Sequence, residues 1–133
     1  MDTKLIKMAI EARENAYVPY SGFKVGAALL AEDGSIYTGC NVENASFGGT
    51  VCAERVAYLK AVSEGKRSFI KIAIAGGKDN VTPTPPCGIC RQVLSELCAD
   101  SLQVLMATGE GYGFKASTLG NLLPEGFGNS NLE

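Results

Sequence analysis

The 133-residue sequence contains no histidine, which removes the commonest metal ligand and the usual proton carrier near neutral pH. Any metal site must therefore rest on sulfur and carboxylate, and any general base must be a carboxylate, an amine, a phenol or a thiol. Long apolar runs are also missing. The longest, Val25 to Ala31, spans seven residues including Gly26, far short of the roughly 20 that a membrane helix needs, so no membrane partner is expected. There is no run of Lys or Arg, and 12 basic residues against 14 acidic ones leave a net charge of -2. That balance argues against a surface tracking phosphates and hence against a nucleic acid polymer as partner. Small molecules are the expected ligands. The opening stretch interleaves charged and apolar residues and lacks the apolar block and cleavage site of a secretory signal, so a cytoplasmic location is expected.

What is present is an ordinary globular composition, 46% apolar and 20% charged, which excludes disordered and fibrous classes. A chain of this length buries roughly two-thirds of its unfolded surface, so residues 1–133 are expected to form a single domain with a frayed tail over 128–133. Apolar residues at Leu5, Met8, Ala9, Ala12 and Ala16 predict a helix over 3–16, with Asp2 or Thr3 as its cap. Strands are predicted at Phe23–Ala31 and Ile36–Val42, joined by a hairpin at Asp33-Gly34. A second helix follows, with Thr50 as candidate cap and Gly65 as its stop, its body carrying Val56, Leu59 and Val62. Phe69–Ala75 is the clearest strand. Pro86-Cys87 opens a third helix with an apolar face of Ile89, Val93, Leu94 and Leu97. Strands at Gln103–Ala107 and Phe114–Ser117 and a short helix over 117–122 complete a layered α/β domain. Connections through the second and third helices favour parallel neighbours and the hairpin forces an antiparallel pair, so the expected sheet is mixed and five-stranded.

Five cysteines, an odd number with no export signal, direct attention to metal or thiol chemistry rather than disulfides. Cys52-Ala53-Glu54 and Pro86-Cys87-Gly88-Ile89-Cys90 each stand at a predicted helix start. Helix N-termini lower thiol pKa and favour the thiolate that zinc needs. Cys87 and Cys90, three apart, share a helix face, and Cys52 can supply a third sulfur. Structural zinc sites close with four protein ligands, whereas three leave a position for water. Glu54, in the same first turn as Cys52, would be close enough to take a proton from that water without ligating the metal. Three thiolates leave the site formally at -1, and Arg55 is the best-placed cation to offset that charge. Arg91, Cys40 and Cys98 read more simply, as a solvated helix face and two small buried hydrophobes.

Cys-x-Glu followed by Pro-Cys-x-x-Cys is the zinc deaminase signature in its all-cysteine form. With Pro19–Ala28, Asn41–Ser46, Cys52–Arg55, Pro86–Val93 and Leu122–Phe127, the chain resembles the small homotetrameric cytidine deaminases nearly end to end. The resemblance implies a three-layer α/β/α cytidine-deaminase-like fold with that mixed five-stranded sheet. It also implies one Zn2+ per chain on Cys52, Cys87 and Cys90, and hydrolysis of cytidine and deoxycytidine to the uridines and ammonia. Glu54 is then the catalytic proton shuttle between the attacking water, ring N3 and the departing amine. The positions matching Asn41 and Glu43 bind the ribose hydroxyls, Phe23 packs on the pyrimidine, and backbone groups around Ala53 and Cys87 read the base edge. Ala45, Phe47 and Phe127 match residues supplied by neighbouring subunits of a homotetramer. The family commonly carries tyrosine at Phe47, so an altered sugar affinity is expected.

Three other readings stand beside this one. A thiol redox protein would use Cys87 and Cys90 but leave Cys52 and Glu54 without a role. A non-catalytic zinc module would want a fourth ligand such as Cys40. A deaminase of a cytosine-bearing antibiotic such as blasticidin S would share the metal site, although the Asn41 to Asn44 block points to ordinary nucleosides.

Overall fold

A computed structural model describes residues 1–133. Its elements are α1 (Asp2–Arg13), β1 (Lys24–Ala31), β2 (Ile36–Cys40), α2 (Ala53–Ser63), β3 (Phe69–Gly77), α3 (Gly88–Ser95), β4 (Gln103–Ala107), β5 (Phe114–Thr118) and α4 (Leu119–Leu122). Short 3-10 turns lie at Phe47–Gly49 and Asn129–Leu132. The strands form one sheet in the order β2-β1-β3-β4-β5.

Alternation along the central strands divides the core into two layers, as period-2 side-chain placement requires. Ala27 and Leu29 of β1, Ile72 and Ile74 of β3, and Val104 and Met106 of β4 pack with Ala57 and Ala61 of α2 and Leu94 of α3. Ala28, Leu30, Ala73, Ala75, Leu105 and Ala107 face the other way, onto Leu5, Ile6 and Ala9 of α1. The sheet thus has α1 on one face and α2 and α3 on the other, the three-layer α/β/α arrangement expected. Close approach depends on glycine. A Cβ on Gly26 would lie 2.0 Å from the Ala9 carbonyl oxygen, and one on Gly39 would lie 2.6 Å from that of Ala53, so these positions set the helix-to-sheet distance.

The hairpin forms as read: Gly34 adopts φ +92, and the Asp33 carboxylate accepts from Ser35 N–H at 3.0 Å. The sheet is mixed, but its parallel content is lower than expected. Only β3 and β4, joined through α3, are parallel neighbours. The connection through α2 carries the chain past β1, which inserts between β2 and β3 and runs antiparallel to both. The predicted caps also differ. Asp2 lies inside α1 and pairs with Lys71, and α2 is capped by Cys52 rather than Thr50. Leu59 and Ile89 face outward, because the short side chains of Ala53, Ala57 and Ala61 form the buried stripe of α2 and α3 buries Cys90 and Leu94. Gly65, at φ +92, ends α2 as predicted, with Lys66 N–H bonding back to the Ala61 carbonyl at 3.0 Å.

Candidate active site

Cys52 is the N-cap of α2 and Cys87 the N-cap of α3, both with extended backbone, so two sets of unpaired helix N–H groups open toward one region. Cys90 lies one turn into α3 and is fully buried. The sulfurs of Cys52 and Cys87 are 3.6 Å apart, those of Cys87 and Cys90 3.5 Å, and all three lie within 4.8 Å of one another. Tetrahedral zinc with Zn–S bonds of about 2.3 Å requires sulfurs about 3.8 Å apart. The three donors fit that ion. Cys40 lies outside the cluster, so the fourth protein ligand that a closed structural site would take is not among the chain's cysteines.

Charge at the sulfurs is arranged to be shared. The Cys52 thiol is pulled down to about 5, first by the hydrogen bond from Cys90 and then by Arg55 and Cys87. Cys90 is pushed up, first by its bond to Cys52 and then by burial. Three adjacent thiolates cannot coexist without a compensating cation. Arg55 supplies part of it, its Nη2 lying 3.6 Å from Cys52 Sγ and 3.4 Å from the Thr50 carbonyl oxygen. Its Nε is buried with no partner.

Glu54 is 4% exposed, and burial raises its carboxyl to about 7, with the charge of Cys52 adding to the effect. It borders a cavity of about 310 Å³ whose walls include Phe23, Asn41, Glu43, Ala53, Cys52 and Cys87. Two groups of different basicity, three soft donors and an open mouth make a site able to activate water and move one proton.

Residues 1–106 match the family model for the cytidine and deoxycytidylate deaminase zinc-binding region. The chain belongs to this deaminase family. It is 50% identical over 129 residues to the cytidine deaminase of Sporosarcina psychrophila, covering 97% of this chain and 93% of that protein. It is 53% identical over 123 residues to that of Halalkalibacterium halodurans, covering 92% and 91%. The crystal structure of cytidine deaminase from Burkholderia pseudomallei superposes with a TM-score of 0.85 at 47% identity, covering 93% of this chain and 97% of that one. Zinc is the cofactor of this deaminase domain, and the Cys52, Cys87 and Cys90 cluster can hold it.

Within the deaminase cavity, Asn41 and Glu43 both reach the wall, though neither lies in β2. The Asn41 side chain accepts from Val25 N–H at 2.9 Å and donates to the Phe23 carbonyl at 2.8 Å. Glu43 accepts from the backbone N–H groups of Tyr20 and Ser21 at 2.9 and 3.1 Å and from the Ser21 hydroxyl. Ala45, Phe47 and Phe127 are exposed and stand outside the walls of this cavity; Phe47 packs edge-on against Tyr20 with ring centroids 5.6 Å apart.

Sequence reasoning missed Ser21, Thr84 and Pro85, which also line the cavity. Ser21 falls inside the Pro19–Ala28 block, and no motif spacing marks Thr84 and Pro85. Arg91, expected on a solvated face, turns inward instead: its Nε donates to the Pro86 carbonyl at 2.7 Å and its Nη1 to that of Leu122 at 2.7 Å. Its position four residues after Cys87 was the available signal, since an arginine there can reach back across the helix start. Cys98 is buried, as expected, and its thiol is pushed up to about 12 by that burial; Cys40 is half-buried.

Proposed function

We propose that this protein hydrolyses cytidine and deoxycytidine to uridine and deoxyuridine with release of ammonia, as a cytoplasmic single-domain enzyme of pyrimidine nucleoside salvage. The observation carrying this reading is the convergence of three zinc-compatible sulfurs and a buried carboxyl on one cavity of about 310 Å³, large enough for a nucleoside. Zinc held by Cys52, Cys87 and Cys90 supplies a Lewis acid that makes water a nucleophile at neutral pH.

The chain's own residues do the remainder. Glu54 accepts a proton from the attacking water and delivers it to ring N3, which removes electron density from C4 where the oxygen adds. It then takes the hydrogen left on the added oxygen and moves it to the exocyclic nitrogen, which leaves as ammonia as the C4 carbonyl forms. Cytidine and one water thus become uridine and one ammonia. A carboxyl raised toward neutrality by burial suits both acceptance and delivery. Arg55 and the N-termini of α2 and α3 offset the negative charge of three thiolates. Phe23 packs on the pyrimidine, backbone groups around Ala53 and Cys87 read its edge, and Asn41 and Glu43 hold the ribose hydroxyls.

The functional assembly in this proposal is a homotetramer in which Ala45, Phe47 and Phe127 complete a neighbour's pocket. Their exposure supports it: Phe47 is 75% and Phe127 58% exposed, a cost for aromatic surface unless another chain covers it. The reading is tested by adding zinc-replete protein to cytidine, deoxycytidine and cytidine monophosphate and following loss of absorbance with product identification. Turnover of both nucleosides to the uridines is the expected result. Absence of nucleoside turnover by fully zinc-loaded protein would overturn it.

A further inference from the structure

We infer that Arg13, on the opposite face of the sheet from the cysteines, is a positioning residue that fixes the separation of the two cavity walls. This rests on reading the cavity as a nucleoside site. Arg13 falls on the buried stripe of α1 with Leu5, Ile6 and Ala9, and its side chain is only 8% exposed. A guanidinium so buried is costly unless its donors are used. They are used on backbone carbonyls from two separate segments. Nε donates to Lys24 O at 3.2 Å. Nη2 donates to Gly77 O at 2.6 Å and lies 3.4 Å from the carbonyl oxygens of Lys78 and Asp79. Nη1 is left 3.7 Å from the exposed Glu14 carboxylate.

Lys24 and Gly77 are the last register pair of the β1–β3 ladder, where the strands part to form the cavity. Lys24 stands between Phe23 and Val25, both of which face the cavity. Beyond Gly77 the chain doubles back, with Thr82 N–H bonding the Gly76 carbonyl at 2.8 Å. Thr84 then packs on Gly76 so closely that a Cβ there would lie 2.7 Å from its hydroxyl oxygen. Thr84 and Pro85 form the second wall and lead directly into Cys87. The first wall is also held by Asn41. The side-chain hydrogen bonds reaching residues 77–79 all come from Arg13. One planar fork therefore joins both walls, a task a single ammonium cannot perform.

The test compares wild type with Arg13→Lys, which keeps the charge, and Arg13→Met, which keeps much of the stem. Assays run well below the melting temperature of each, at matched zinc content. The expected result is a cytidine KM raised about tenfold with kcat held within about threefold. Faster amide hydrogen exchange should be confined to residues 23–25 and 77–85. An unchanged KM in the folded, zinc-loaded variants would overturn the inference, as would exchange that rises evenly along the chain. Should wild type turn over no cytidine, the nucleoside reading falls, and the exchange pattern alone decides whether Arg13 joins the two walls.

Discussion

Glu54 and Glu43 show how two carboxyls in one cavity are set to opposite states by their surroundings. Glu54, buried and close to the negative charge of Cys52, is raised to about 7. Replacing it with glutamine should keep shape and zinc but remove the proposed proton carrier, so kcat should fall by about 10²–10⁴-fold; near-normal turnover with full zinc would contradict the role. Glu43 is held below its ordinary 4.5, first by the Ser21 hydroxyl and then by backbone N–H groups. A depressed folded pKa means its contribution is present above the unfolded value and lost as pH falls through the folded one. The Tyr20 and Ser21 amide resonances should therefore titrate with a midpoint below 4.5, and a midpoint above it would show the clamp is not formed. Cys98, raised to about 12, should stay unalkylated at pH 8 in the folded protein, as judged by mass spectrometry of labelled peptides.

At the scale of elements, the site depends on where two helices begin. Cys52 and Cys87 are N-caps without side-chain cap bonds, so a metal held there would tie together two helix starts that have no conventional cap. Cys87→Ala should lose zinc, measured by metal analysis of the purified protein, and full retention would remove Cys87 from the ligand set. Helix-to-sheet spacing is the other requirement. In Gly26→Ala the added Cβ meets Ala9 and Arg13 backbone atoms at 2.0 to 2.9 Å, atoms that cannot rotate away. Overpacking typically costs about 1–3 kcal/mol, and contact with fixed backbone puts this change toward the upper end, readable as a lower denaturant midpoint; a change under about 1 kcal/mol would mean that α1 moves freely on the sheet.

Across the whole molecule, exposed Phe47 and Phe127 are the residues through which the proposed assembly would complete the site. Sedimentation velocity should give a tetramer at micromolar concentration, and a monomer with full activity would refute the shared pocket. Within a tetramer, Phe47→Tyr should change the KM for cytidine, and an unchanged value would dismiss the sugar-contact role. The Cys87–Cys90 pair, Glu54 beside Cys52, the Asp33-Gly34 hairpin and the strand cores were legible in the sequence because each depends on local chemistry or a two- to four-residue spacing, whereas the approach of Cys52 to Cys87, 35 residues on, is made by the fold. The cysteine pair and its helix start are fixed by the chain's own geometry. Tertiary structure alone decided that β1 inserts between β2 and β3, since a helical crossover reaches a strand of either neighbouring position and the pattern of apolar residues is the same. It alone turned Arg91 inward onto Pro86 and Leu122 and buried Arg13 among carbonyls of two distant segments. A charged residue's partners lie across the fold, and periodicity records the face a side chain occupies but carries no information about what waits on the other side.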